Sequence, residues 1–288
     1  MKFLLSITIA LLWALPVLAD HGIETKGFNG LYMGHSFFRP SAEQLDKIMS
    51  DSETINHRQV TVFAGGANGS PGRLWQNEKK RLEAQKHLDT KKIDLVVMTY
   101  FSPLDSSVQD YSQWIDYAIS QNPKTTFMVT IPWGKQLYKA TANQIDILKK
   151  TSIGFNKTVI QELREKYPDN RILFCPYGLG TYELVERFRA GKLPGVKHIL
   201  NGNRWKRKQP ESQHEQLLND ELGHPSELVA KLGALLWFQT LYEYDLQTLK
   251  PQKVSGLPKI NLNEIALAVG KKIQPLNAVY EKEKVKVK

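Results

Sequence analysis

Five apolar runs of strand length, each followed by a stretch of helical character, constrain this chain more than any other feature. They are Phe28 to Met33, Gln59 to Phe63, Ile93 to Thr99, Thr125 to Ile131 and Arg171 to Cys175. The third has almost no polar alternation, as a strand covered on both faces should, and Pro132 and Pro176 stop the fourth and fifth. Helices are predicted over Ser41 to Ser50, Leu74 to His87, Ser106 to Ser120, Thr141 to Lys166, Thr181 to Ala190 and Ser226 to Leu241. Strand followed by helix, repeated, predicts an α/β chain. The expected architecture is a three-layer α/β/α sandwich with a mostly parallel five-stranded sheet, joined by right-handed crossovers in the flavodoxin-like manner. Ligands of such sheets sit beyond the carboxyl ends of the strands. Chemistry is therefore expected in the loops after Met33, Phe63, Thr99, Ile131 and Cys175, and in the loop before Ser226.

Composition narrows the class. Of 288 residues, 41% are hydrophobic and 24% charged, too apolar for a disordered chain, and a single cysteine excludes a disulfide scaffold. That cysteine, Cys175, closes an apolar strand and reads as a small core residue rather than a reactive thiol. Met1-Lys2, the apolar run Phe3 to Leu18 and the small-residue site ending at Ala19 read as a secretory signal peptide over residues 1–19. The mature protein is thus expected to be secreted or periplasmic, with no membrane association after signal removal. Residues 20–246 are expected to form one α/β domain. Residues 247–288 look like a basic C-terminal extension with one helix from Asn261 to Lys272.

The net charge of +10 is concentrated in Arg204 to Lys208 and in the tail from Lys271 to Lys288. Such segments are either plain solvated surface or a meeting place for an anionic glycan. No zinc-finger spacing or RNA-recognition signature accompanies them, so nucleic acid is not an expected partner. The seven histidines include no His-x-x-x-His pair, and neither a metal nor an organic cofactor is expected.

Three short segments carry candidate chemistry. Gly34-His35-Ser36 follows the first strand, where a serine is either a presented nucleophile or a helix cap. Gly65-Gly66-Ala67-Asn68-Gly69-Ser70-Pro71-Gly72 follows the second strand. Its backbone N–H groups either stabilise an oxyanion or belong to a simple turn. It fits neither a dinucleotide fingerprint nor a Walker loop. Asp220-Glu221-Leu222-Gly223-His224-Pro225 precedes the last long helix and holds a histidine on a rigid loop end. Glu221, three residues upstream, has the spacing to accept from the imidazole Nδ1, and Asp220 stands one residue further back.

Together these segments resemble the SGNH (GDSL-type) hydrolase superfamily over about residues 28 to 241. Gly34-His35-Ser36 is similar to its nucleophile block, the Gly69 loop to its second block, and Glu221 to Pro225 to its late acid-x-x-His block. The resemblance implies Ser36 as nucleophile, His224 as base and Gly69 as a backbone oxyanion donor. Three departures stand out. His35 replaces the usual Asp of the first block. The orienting acid is Glu221 unless Asp220 takes the role. Thr99-Tyr100-Phe101-Ser102 stands where the third block has Gly-x-Asn-Asp. The side-chain oxyanion donor is therefore missing or replaced, with Thr99, Tyr100 and Asn68 as candidates.

The expected function is a secreted serine esterase or acyl hydrolase acting on a small-molecule or polysaccharide ester, in the finer reading a carbohydrate deacetylase. Trp75, Trp133 and Trp205 serve as sugar-stacking surfaces or as ordinary packing. The alternative is a non-catalytic extracellular module that binds anionic polysaccharide through Arg204 to Lys208.

Overall fold

Along each strand, successive side chains leave for opposite faces of one sheet, and both faces are covered. The computed structural model describes residues 27–50, 55–202, 214–242, 246 and 249–280. The strands β1 (Asn29–Gly34), β2 (Arg58–Phe63), β3 (Leu95–Thr99), β4 (Thr126–Thr130) and β5 (Ile172–Cys175) form a parallel sheet in the order β2-β1-β3-β4-β5. Leu31 lies beside Val60 on one side and Val96 on the other, and Val97 beside Met128. The helices are α1 (Arg39–Ser50), α2 (Pro71–Gln76), α3 (Glu78–Leu88), α4 (Val108–Gln121), α5 (Ala142–Gly154), α6 (Val159–Lys166), α7 (Gly178–Arg189), α8 (Glu227–Tyr242) and α9 (Leu262–Ile273).

Tyr32, Leu95, Val97, Met128, Leu173 and Cys175 pack with apolar residues of α1, α7, α8 and α9. Leu31, Met33, Val96, Met98, Phe127 and Phe174 pack instead with residues of α2, α3, α4 and α6. This is the expected three-layer sandwich. Each fully buried Leu or Phe contributes roughly 1.5–3 kcal/mol relative to exposure, so the two apolar layers carry most of the stabilisation. The chain order reverses between β1 and β3. That crevice, at the carboxyl ends of the strands, is where such a sheet takes ligands.

The structure differs from the sequence expectations in four places. The helix expected from Leu74 to His87 starts at Pro71 and breaks at Asn77, whose side chain accepts from Lys80 N and caps α3. The long helix expected from Thr141 to Lys166 stops at Gly154, and a 3-10 turn over Phe155–Lys157 separates α5 from α6. A short parallel pair, β6 (His198–Leu200) with β7 (Gln216–Leu218), leads into the histidine loop.

The fourth difference corrects the picture of an appended C-terminal extension. Val254, Leu257, Ile260, Leu262, Ile265, Ala266, Val269 and Ile273 are buried in the same apolar cluster as α7 and α8. Beyond α9, Asn277 bonds both Phe174 N (2.8 Å) and Phe174 O (3.0 Å), and the Tyr280 hydroxyl bonds Ile172 N (2.6 Å) and Ile172 O (2.9 Å). Two side chains thus complete the ladder of the edge strand β5, which would otherwise offer bare amides to another chain. The basic tail beyond residue 280 and the signal segment 1–19 lie outside the described residues. Among the described residues no helix is long and apolar enough to cross a membrane.

Candidate active site

Ser36 follows β1 in a turn closed by the His35 carbonyl, which accepts from Phe38 N and Arg39 N at 3.0 Å each and so starts α1. Its hydroxyl does not cap that helix. It donates to His224 Nε2 at 2.8 Å, across 188 positions of sequence. The other imidazole nitrogen, Nδ1, lies 2.5 Å from Asp220 Oδ2. An ionised carboxylate can only accept, so Nδ1 carries the proton and Nε2 is left to receive one.

Asp220 occupies the orienting position because of the local turn. Its Oδ1 accepts from Gly223 N (3.0 Å) and His224 N (3.1 Å), a side-chain-to-backbone closure that a short acid makes within its own loop. Gly223 sits at φ 96°, where a side chain is strained, and this lets the chain double back under the carboxylate. Glu221, favoured by its three-residue spacing, is exposed and no part of this arrangement. Burial raises the Asp220 pKa, but the hydrogen bonds from His224 and Gly223 and the charge of His224 outweigh it, leaving the carboxyl below its usual range.

The loop is tied down further. Asn219 N donates to His224 O (2.7 Å) and Ser226 N to Leu217 O (3.0 Å). Trp133, from the loop after β4, donates its indole N–H to Gly223 O (2.9 Å) and stacks on Phe37 with ring centroids 5.1 Å apart. Phe37 meets the His224 ring edge-on at 5.3 Å. One aromatic pair therefore braces the serine loop against the histidine loop. Trp75 packs edge-on to Trp114, at 4.9 Å, in the other layer, and Trp205 lies outside the described residues.

His35 has a structural part. Phe37 N donates to its Nδ1 (3.2 Å), so Nε2 carries the proton and donates to Tyr100 O (3.2 Å), linking the serine loop to the loop after β3. The residue is 2% exposed, and burial pushes its pKa down to about 4, helped by His224 and Lys135 against the opposing bond to Tyr100. It is held neutral with both nitrogens committed.

The candidate oxyanion donors separate in the same way. Gly69 is buried where a Cβ would lie 2.6 Å from both Gly34 O and Ala64 O, so only glycine allows its loop this close to the serine loop. Gly65 and Gly66 of that loop line the same cavity as Ser36. Asn68 is exposed. Thr99 is fully buried, and its hydroxyl donates to Thr130 O (3.4 Å). Of the third-block candidates, Tyr100 lines the cavity, as does Ser102. Cys175 is sealed in the core, where burial pushes its thiol up to about 12. Among the described residues no group of three or more His, Cys, Asp or Glu side chains could hold a metal ion.

Ser36 and His224 open onto a cavity of about 740 Å³ that aromatic and aliphatic side chains dominate. Ser36 and His224 also line a second cavity of about 540 Å³, bordered by Arg39, Glu43, Gln44, Asn219 and Glu227. Sequence reasoning pointed to the right loops for Trp133 and Ser102 but missed the cavity-forming residues of α5 and of the turn that follows it. Leu148 and Phe155 carry no local signal beyond hydrophobicity.

No family model and no curated protein matches the sequence. Among solved structures, a DUF4886 family protein from Bacteroides uniformis ATCC 8492 superposes with a TM-score of 0.56 at 17% identity, over 86% of this chain and 95% of that one. The lipopolysaccharide acetyltransferase periplasmic domain of Salmonella ser. Paratyphi A gives a TM-score of 0.40 at 13% identity, over 71% of this chain and 80% of that one. The first similarity is one of fold: this chain shares the α/β/α architecture of the DUF4886 family protein across most of its length.

Proposed function

We propose that the protein is a serine acyl hydrolase of SGNH-like type, with Ser36 as nucleophile, His224 as general base and Asp220 as the residue that orients it. The observation that carries this reading is the unbroken chain Ser36 Oγ to His224 Nε2 (2.8 Å) and His224 Nδ1 to Asp220 Oδ2 (2.5 Å) at a cavity mouth. Ser36 Oγ attacks an ester carbonyl carbon while its proton passes to His224 Nε2, and Asp220 stabilises the resulting imidazolium. The tetrahedral adduct collapses, and the alcohol leaves with the proton from His224. Water, deprotonated by His224, then cleaves the acyl-enzyme and releases the acid.

Backbone N–H groups of Ser36 and of the 65–69 loop are the oxyanion donors in this scheme. The asparagine amide of the family's third block has no counterpart in 99–102. A missing donor of this kind costs about 10²–10³ in rate, so slow turnover is expected. Export from the cell and a carbohydrate ester as substrate rest on the sequence, and glycan binding by Arg204 to Lys208 falls on residues outside the described ones.

The test is covalent labelling with a fluorophosphonate together with hydrolysis of short p-nitrophenyl esters. Stoichiometric labelling, abolished in Ser36→Ala and in His224→Ala, is the expected result. A folded wild-type protein that neither labels nor hydrolyses overturns the assignment.

A further inference from the structure

The two cavities flanking Ser36 differ in chemistry, and an ester has two unlike halves. The larger cavity is walled by Phe101, Ile131, Trp133, Leu148 and Phe155, contributed by the loops after β3 and β4 and by α5 with its following turn. Three of the hydroxyls on its wall are engaged within the protein: Ser152 Oγ donates to Leu148 O (2.9 Å), Ser102 Oγ donates to Asp105 Oδ2 (3.3 Å), and the Tyr182 hydroxyl accepts from Gly134 N (3.0 Å). Tyr100, Thr151 and Lys135 also line it, the Lys135 ammonium lying over the Phe101 ring at 4.9 Å. A sugar laid against the Phe101, Ile131, Trp133, Leu148 and Phe155 face would give up hydrogen bonds to water and find few there in return, which is costly. The second groove is lined by Arg39 and Glu43, which pair with each other at 2.7 Å, and by Gln44 and Glu227, whose remaining donors and acceptors offer partners for a hydroxylated group. At about 740 Å³ the apolar cavity is in the size range that holds a whole drug-sized ligand, far beyond the two carbons of an acetyl group.

Resting on the reading of Ser36 as nucleophile, we propose that this cavity is an acyl site for a medium- or long-chain hydrocarbon acid. The preferred substrate is then an ester whose chain extends past Trp133 toward Phe155, while its polar alcohol departs through the groove. The chemistry is unchanged: the acyl carbon bonds Ser36 Oγ, the alcohol oxygen takes the proton from His224, and water later releases the free acid. This replaces deacetylation as the finer reading of the substrate, because an acetyl group uses almost none of the wall that α5 and its turn supply.

The experiment measures kcat/KM for p-nitrophenyl acetate, butyrate, octanoate and laurate, with p-nitrophenyl cinnamate to separate aromatic from aliphatic acids. Burying each methylene in such a wall raises the value roughly fourfold until the cavity is filled. Leu148→Trp, which narrows the cavity, lowers the octanoate-to-acetate ratio at least tenfold. In parallel, Ser36→Ala is titrated with decanoate, following Trp133 fluorescence against a Trp133→Phe control. Hydrolysis that favours acetate, or is indifferent to chain length, overturns the acyl site and leaves the hydrolase standing. A best rate on cinnamate overturns the aliphatic assignment. Decanoate binding to a protein that hydrolyses nothing supports the apolar site and overturns the hydrolase. Neither binding nor hydrolysis overturns both.

Discussion

Two histidines at opposite ends of the sheet make the same number of hydrogen bonds and have different prospects. His224, at the carboxyl ends of the strands, holds Asp220 and Ser36. His57, just before β2, holds the Tyr242 hydroxyl on Nδ1 (2.6 Å) and Gln59 Oε1 on Nε2 (3.1 Å). Gln59 Oε1 can only accept, so the His57 proton is fixed on Nε2 and Tyr242 donates to the other nitrogen. Both partners are neutral, and burial lowers the His57 pKa against the opposing bond to Gln59. An imidazolium at position 57 has no counter-charge in its hydrogen-bond shell, whereas one at position 224 has a carboxylate held below its usual pKa. Full hydrogen bonding therefore does not distinguish a base from a strut. A carboxylate behind the ring and an open cavity in front of it set His224 apart from His57 and make it the candidate base.

Four measurements break or sharpen this comparison. The largest effect is expected on ester hydrolysis: Ser36→Ala or His224→Ala lowers kcat/KM by about 10⁴-fold or more, while His57→Asn stays within about threefold. Next, Asp220→Asn presents the wrong tautomer to Ser36 and lowers kcat by about 10²–10⁴-fold, whereas Glu221→Gln changes it less than about twofold. Equal losses in the two acid variants would remove the distinction drawn between them.

The third measurement concerns His35. Its pKa of about 4 in the folded protein lies below the ordinary 6.5, so below pH 6.5 the unfolded chain binds a proton that the folded one refuses. Stability is therefore full above that value and falls as the pH drops toward 4. Between pH 7 and pH 5 the expected loss is about 2 kcal/mol from this group, read by urea unfolding. His35→Gln flattens that part of the profile, and an unchanged slope would mean that His35 protonates freely in the fold. The smallest effect is structural: His57→Asn, by breaking two partly buried bonds, costs about 1–2 kcal/mol of stability with no change in the pH dependence of kcat.

The strands were legible because burial on both faces leaves continuous apolar runs, and every one of the five appears within two residues of its expected limits at each end. The breaks at Asn77 and Gly154 were not, since each flanking segment has helical character of its own and the interruption is a matter of capping and tertiary fit. Spacing pointed to Glu221, but 220–224 is a turn rather than a helix, and there the short acid that can bond its own backbone wins. Ser36 and His224 were readable as presented side chains from Gly34 and Pro225 beside them. The cavity was not, because its walls come from three segments far apart in the chain. The C-terminal segment looked like an appended basic extension because its charge hides the apolar stripe of α9, and because Asn277 and Tyr280 act through the edge of β5 rather than through any local pattern.

The separation of 188 positions between the serine and its histidine has a consequence for synthesis. A nascent chain on the ribosome exposes Ser36 long before His224 has been polymerised, and the loop that carries His224 is anchored by Trp133 from the middle of the sequence. No fragment that ends before His224 contains both side chains of the pair. Under the proposed function, recovery of ester turnover after dilution from denaturant would report completion of the whole fold, and a translation product truncated before His224, however compact, would be chemically silent.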